Sequence, residues 1–395
     1  MIKNYLKTFI LLSLITLVPQ NNLFASELKI SGWIPYWRVT AGVADAKTNL
    51  NDIDTLHPFV YTVQEDGSIK DLGNLSDKTW TKLFKSARSK KVEVIPTIMW
   101  SDGGKMQEIL SVEELRKNHV ANIVSLVKQK KFDGIDIDYE AKRSETKDFY
   151  SLFLKELKKG LKGKILTCTV EARTPLDSLY TVVPSVIEYA NDYVEIGKYC
   201  DRVEIMGYDL GRADVKLNAS NKGMPYVPVA DTDWVKKVVE LTIKDGIPAE
   251  KIMLAIPTYG YEYVVTAAPE QYRGYQRQHA LNPGYGVTTA KENNVIPSRD
   301  NGGELSFSYF ATSSPFSILS SLPVPEGTTT GNKAAAQALL FSTATGMEVP
   351  FNYIVWSDAE AIRQKVELAK SMNLRGIAIF KIDGGEDKNM WETFR

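Results

Sequence analysis

The sequence predicts an α/β fold: a (β/α)8 TIM barrel with an α+β insertion between its seventh strand and the helix that follows. Three observations carry this expectation. Eight short apolar segments recur along the chain with amphipathic helical segments between them, the pattern of a parallel sheet closed by crossover helices. Residues 134–140 alternate strictly between apolar and acidic side chains, which marks a strand with one polar face. Third, about ninety residues separate the seventh strand from its helix, far more than an ordinary connection needs.

Taken in order, residues 28–35 and 56–63 are the first two strands, followed by a basic amphipathic helix over 77–90. The third strand, 92–98, is rich in Val and Ile, residues that suit a pleated buried surface. A helix over 112–131 follows, with apolar residues at Leu115, Val120, Ile123, Val124 and Val127. After the acidic fourth strand, the helix 147–161 ends among glycines, a normal stop signal. Strands five and six are expected over 164–170 and 202–208. The helix 233–245, stopped by Gly246 and Pro248, precedes the seventh strand at 252–257. A helix over 359–372 leads into the eighth strand, 376–382. The barrel therefore takes residues 27–260 and 356–395. The segment 261–355, with several tyrosines and a helix over 333–342, reads as a subdomain walling a substrate groove.

The fourth strand holds the chemistry. Ile135, Ile137 and Tyr139 face one way, and Asp136, Asp138 and Glu140 the other. Successive acids sit about 6.6 Å apart, and like charges so placed repel. A solvated strand face is one account of them. A Mg²⁺ or Ca²⁺ site is another, since hard cations take carboxylate oxygens. A third is general acid catalysis, because crowding keeps one carboxyl protonated while another stays ionised. Asp133 has the wrong parity for this face, so a structural role at the strand's start is expected.

The run Asp133-Gly134-Ile135-Asp136-Ile137-Asp138-Tyr139-Glu140 resembles the DGxDxDxE signature of family 18 glycoside hydrolases, the chitinase-like enzymes, and matches it completely. Met206-Gly207-Tyr208-Asp209 resembles that family's MxYD motif, and the likeness extends from about Leu28 to the C-terminus. The resemblance implies substrate-assisted hydrolysis of N-acetylglucosamine-containing polysaccharide without a metal or other cofactor, an exception to the two-carboxylate scheme. It implies Glu140 as acid and base, Asp138 as holder of the substrate's acetamide, Asp136 as its tuning partner, and Tyr208 as donor to the acetamide carbonyl. Met206 and Asp209 would line the sugar site. Aromatic platforms for sugar rings are sought near strand ends, at Trp33, Tyr36, Trp37, Trp100 and Tyr259. At the end of the eighth strand Phe380 stands where the family usually has tryptophan, and Pro96-Thr97-Ile98-Met99-Trp100 lacks the usual Ser-x-Gly-Gly. These departures resemble outlying bacterial members, including peptidoglycan-acting ones. A glycan-binding protein without useful turnover is the competing expectation, although such relatives normally lose the acid that Glu140 supplies here.

Composition bounds the partners. Lys+Arg and Asp+Glu both number 48, so neither nucleic acid nor an anionic membrane is indicated. A monomer is expected. Lys3 and Lys7 precede an apolar run over residues 9–18, and Ala25 offers a cleavage site. Residues 1–25 therefore read as a secretory signal peptide, with an uncleaved N-terminal anchor as the alternative. Secretion or a cell-envelope location follows. Cys168 and Cys200 are expected to be buried thiols rather than a bridge. His57, His119 and His279 show no ligand spacing and are expected to be structural or surface residues.

Overall fold

A computed structural model describes residues 28–395; the expected signal peptide lies outside the described residues. Eight parallel strands close on themselves as the sequence predicts. Lys29–Pro35 pairs on one side with Thr55–Val63 and on the other with Gly376–Phe380. From Gly376–Phe380 the sheet runs through Ile252–Pro257, Arg202–Met206, Ile165–Glu171, Gly134–Tyr139 and Thr97–Trp100 back to Thr55–Val63. The outward side chains of these strands pack against the helical ring: Ile135, Ile137 and Tyr139 of the fourth strand join Phe153, Leu154 and Leu157 of helix Lys147–Gly160.

Two local features set the register that the site needs. Gly134 begins the fourth strand where the backbone of the fifth passes close by. A Cβ there would stand 2.2 Å from the carbonyl oxygen of Ile165, so the motif's glycine is required by contact. Beside it, Asp133 Oδ2 accepts the backbone N–H of Val94 at 2.9 Å, fastening the fourth strand to the third. The third strand itself departs from expectation. It is split into Glu93–Val94 and Thr97–Trp100, because Pro96 has no N–H to give the ladder.

The inserted segment forms a second, antiparallel sheet. Its order is Gln271–Leu281, Gly260–Ala268, Val349–Trp356, Leu305–Tyr309 and Ser298–Arg299. Val265, Phe351 and Val355 from this sheet pack against Ala334, Ala335 and Ala338 of helix Lys333–Thr345. The small alanines let the helix lie close to the strands. Tyr259 and Tyr261 share this cluster, and partly buried Tyr208 and Phe380 of the barrel pack against it. The insertion is thereby fixed beside the barrel's C-terminal mouth.

The expectation for the two cysteines is corrected. Cys168 and Cys200 are joined in a disulfide. Cys168 points outward from the fifth strand, and Cys200 immediately precedes the sixth, which pairs with the fifth from Arg202 onward. Strand adjacency thus brings together two cysteines that are 32 residues apart in sequence.

Candidate active site

The inward residues form a polar interior capped by an aromatic mouth. Asp136 lies deepest of the three acids and is fully buried. Its Oδ2 accepts hydrogen bonds from Thr97 Oγ1 at 2.7 Å and Trp33 Nε1 at 3.3 Å, and its Oδ1 accepts from Thr169 Oγ1 at 2.9 Å. Burial and the Glu204 charge push its pKa up to about 6, against the opposing pull of His57, Thr97 and Thr169.

Asp138, one step nearer the mouth, is also buried. Its Oδ1 has no hydrogen-bond partner among the described residues. Burial first, then the charges of Glu140 and Asp136, hold its carboxyl well above the usual range. Leaving such a group orphaned costs free energy, and its proton-holding state limits that cost. Glu140 immediately follows the strand and is partly exposed. Its pKa is raised by burial and by Glu171, with Lys142 pulling the other way. Immediately after it Ala141 takes φ 54° and gives its N–H to Glu171 Oε1 at 3.0 Å. This turn leaves Glu140 at the rim. Buried Lys142 donates to the carbonyl of Tyr139 and stands 3.5 Å from Glu171 Oε2, placing an amino group behind the acids whose pKa burial lowers against the pull of Glu171 and Asp138.

Tyr208 and Phe380 stack with ring centroids 5.5 Å apart and planes at 23°. Phe380 also meets Trp33, Phe59 and Tyr259 edge-on, at 5.7, 6.0 and 6.1 Å. Burial and the neighbouring Asp138 raise the Tyr208 pKa well above 10, so its hydroxyl stays a donor. Met206 ends the sixth strand, paired with Glu171 and facing the interior. Asp209 Oδ1 accepts the hydroxyls of Tyr259 and Tyr261 at 2.7 and 2.8 Å, joining the barrel to the insertion. Tyr36 and Trp37 follow the first strand as an exposed edge-to-face pair.

Trp100 does not belong here. It pairs in register with outward-facing Tyr139 and packs edge-on against that ring at 5.2 Å, buried beneath the helices. Strand parity makes Met99, not Trp100, the inward residue. Trp33 is likewise buried, serving as a donor to Asp136 rather than a platform.

Below the acids lies a group that the sequence reasoning left out. Glu204 Oε1 accepts from Ser31 Oγ at 2.8 Å and lies 3.0 Å from His57 Nε2, off the line of a good hydrogen bond. Opposite, His57 Nδ1 donates to the carbonyl of Ile95 at 2.8 Å. Burial lowers the His57 pKa, but the carboxylates of Glu204 and Asp136 outweigh it and leave it raised. His57, Asp136 and Glu204 each place a potential ligand atom within 4.8 Å of the others. Ser31, Thr97, Thr169 and Trp33 already turn donors onto the two carboxylates, an arrangement suited to anions beside an imidazolium rather than to a metal ion. The signal for Glu204 was present in the alternation Arg202-Val203-Glu204-Ile205-Met206, which puts an acid on the inward face.

Comparisons with known proteins show the family and the fold. The profile described as "Glycosyl hydrolases family 18" matches residues 36–385. The chain belongs to glycosyl hydrolase family 18. It is 22% identical over 373 residues to "Uncharacterized glycosylase YvbX" of Bacillus subtilis, covering 90% of each chain. Among solved structures, the spore cortex-lytic enzyme SleL of Bacillus cereus aligns over 93% of this chain and 74% of its own, with TM-score 0.67 and 19% identity. A chitinase of Chromobacterium violaceum aligns over 93% and 98%, also with TM-score 0.67 and 19% identity. At that identity the structural likeness establishes the barrel fold. The family acts on N-acetylglucosamine-containing glycans.

Proposed function

We propose that this family 18 member is a secreted retaining glycosidase that cleaves β-1,4 bonds beside N-acetylglucosamine with the substrate's own acetamide as nucleophile. The observation that carries this is Asp138, a buried acid with an unpartnered oxygen, set between Asp136 and Glu140 on the fourth strand. The sugar ring rests on Phe380. Glu140, whose pKa burial and Glu171 raise, gives its proton to the departing glycosidic oxygen. The acetamide oxygen bonds to the anomeric carbon as that carbon–oxygen bond breaks. Asp138 accepts the acetamide N–H and steadies the positive oxazolinium, its own proton passing toward Asp136. Tyr208 donates to the acetamide oxygen before attack. Glu140, now a carboxylate, takes a proton from water as the water opens the oxazolinium, which restores the starting state and the anomeric configuration.

Glu140→Gln tests the proposal on chitooligosaccharides and on peptidoglycan. It keeps the shape and removes the transferable proton, so kcat should fall roughly 10²–10⁴-fold with unchanged circular dichroism. Equal rates for the two proteins would sink the assignment.

Chitin or its oligosaccharides are the first substrate class. Peptidoglycan is the second, supported by the likeness to spore cortex-lytic enzymes and by Phe380 in place of tryptophan. A glycan-binding role with little turnover is the remaining reading, and long incubation with product analysis separates it. Secretion is supported by the apolar N-terminal run and by the Cys168–Cys200 bridge, since disulfides persist in oxidising compartments. Mass spectrometry of the mature N-terminus checks cleavage.

A further inference from the structure

A cavity of about 470 Å³ opens beside the aromatic floor, a size that suits a small ligand. Trp37, Arg38, Asp209, Phe380, Lys381 and Asp383 are among its lining, and the insertion supplies Tyr261 and Asn282. Glu140 and Asp138 do not line it, so it is a neighbouring compartment rather than the reaction centre. Its chemistry follows from a repeated pattern. The first and eighth strands are hydrogen-bonded neighbours. At the eighth strand's last residue and two residues past the first strand's end, an aromatic residue is followed at once by a cation: Phe380-Lys381 and Trp37-Arg38.

The two cations are held from below. Asp383 has a side chain only 2% exposed and contacts Lys381, while Arg38 Nε lies 3.7 Å from it. Lys381 Nζ also donates to Asn282 Oδ1 at 3.0 Å, and Asn282 Nδ2 donates to Asp383 Oδ2 at 3.2 Å. The Arg38 side chain is 47% exposed and lines the cavity. One buried carboxylate thus orients two cations, leaving a net positive charge at this end. Asp209 carries the opposing charge, but it follows the sixth strand, three places round the barrel from the first, and is engaged by two tyrosine hydroxyls.

Neutral chitin offers such a pair hydroxyl and carbonyl acceptors but no countercharge. We propose that Arg38 and Lys381 form a subsite for a carboxylate borne by the sugar next to the one on Phe380, so that the substrate is an acidic glycan of the N-acetylmuramic acid type. This deepens the proposed function and rests on its placement of the reacting sugar over Phe380. An arginine fork matches a carboxylate in two-point contact, and the lactyl group of N-acetylmuramic acid supplies one on an otherwise chitin-like chain.

The test uses the Glu140→Gln protein, which holds substrate without consuming it. Calorimetry compares peptide-free strands of alternating N-acetylglucosamine and N-acetylmuramic acid with the same strands carboxyl-reduced to the alcohol. The acidic strand should bind about tenfold tighter, and the preference should weaken as salt rises. Adding Arg38→Gln should bring the ratio of the two affinities close to one. Equal affinity of Glu140→Gln for both strands, or binding to neither, overturns the subsite. Preferential binding of the acidic strand by Glu140→Gln, with no product from the unsubstituted protein, would instead overturn the hydrolase assignment and leave the subsite standing.

Discussion

Asp138 shows what single residues contribute to this site. Its proton affinity is raised in the folded protein by burial and by Glu140 and Asp136, whereas in an unfolded chain an aspartate titrates near about 3.9. A raised pKa favours folding below the unfolded value, and that contribution is lost as pH rises toward the folded pKa. Asp138→Asn removes the charge that becomes unfavourable on that rise. Its Tm should therefore exceed that of the unsubstituted protein by about 2–4 °C at neutral pH, with the gap closing near pH 4. Hydrolysis should fall sharply in the same variant, so that stability and activity move in opposite directions. A Tm difference independent of pH would remove the electrostatic explanation. Phe380 makes the complementary case, since four aromatic neighbours hold its ring. Phe380→Ala should cut kcat/KM by roughly tenfold or more through lost stacking, chiefly in KM. A change confined to kcat would place the ring's role in the chemistry instead of in binding.

At the scale of elements, strand parity explains both what the sequence disclosed and what it concealed. The acidic strand was legible because three acids at period two have no ordinary structural use. Trp100 was misplaced because the third strand's break at Pro96 and its extension to Trp100 could not be seen, and one step of parity sends a ring to the opposite face. Glu204 went unnoticed for a related reason: one acid between Val203 and Ile205 becomes notable only when the barrel closes and brings His57 and Ser31 to it. That buried pair has a measurable consequence. Glu204→Ala leaves His57 with no countercharge on the sixth strand and Ser31 without an acceptor, which should cost about 3–5 kcal/mol in urea unfolding. His57 contributes stability below its unfolded pKa near about 6.5, lost as pH rises through its raised folded value. The variant's deficit should therefore shrink in alkali. A deficit unchanged between pH 6 and pH 9 would mean that packing, not charge, holds the pair.

For the whole molecule, long-range closure decides what local pattern leaves open. The barrel brings the fifth and sixth strands side by side, and the Cys168–Cys200 bridge crosses between them. Nothing in a spacing of 32 residues announces that pairing; it depends on which strands become neighbours and on the redox state of the compartment. The bridged strands carry Glu171, Met206 and, just beyond, Tyr208, so the cross-link lies in the frame of the site while its sulfurs stay on the helix-facing side. Its contribution should appear in stability before catalysis. Closing a loop of this length restricts the unfolded chain by an amount worth about 3–4 kcal/mol. Replacing both cysteines by alanine should lower the unfolding free energy by that amount, with a lower urea midpoint, and leave kcat/KM at 25 °C within about twofold, because the native strands remain paired through their backbone ladder. Reductant should shift the unsubstituted protein's midpoint to match the double variant and should leave the double variant unmoved. If both proteins unfold at the same midpoint without reductant, the strands are held by their packing alone and the bridge adds nothing to the barrel.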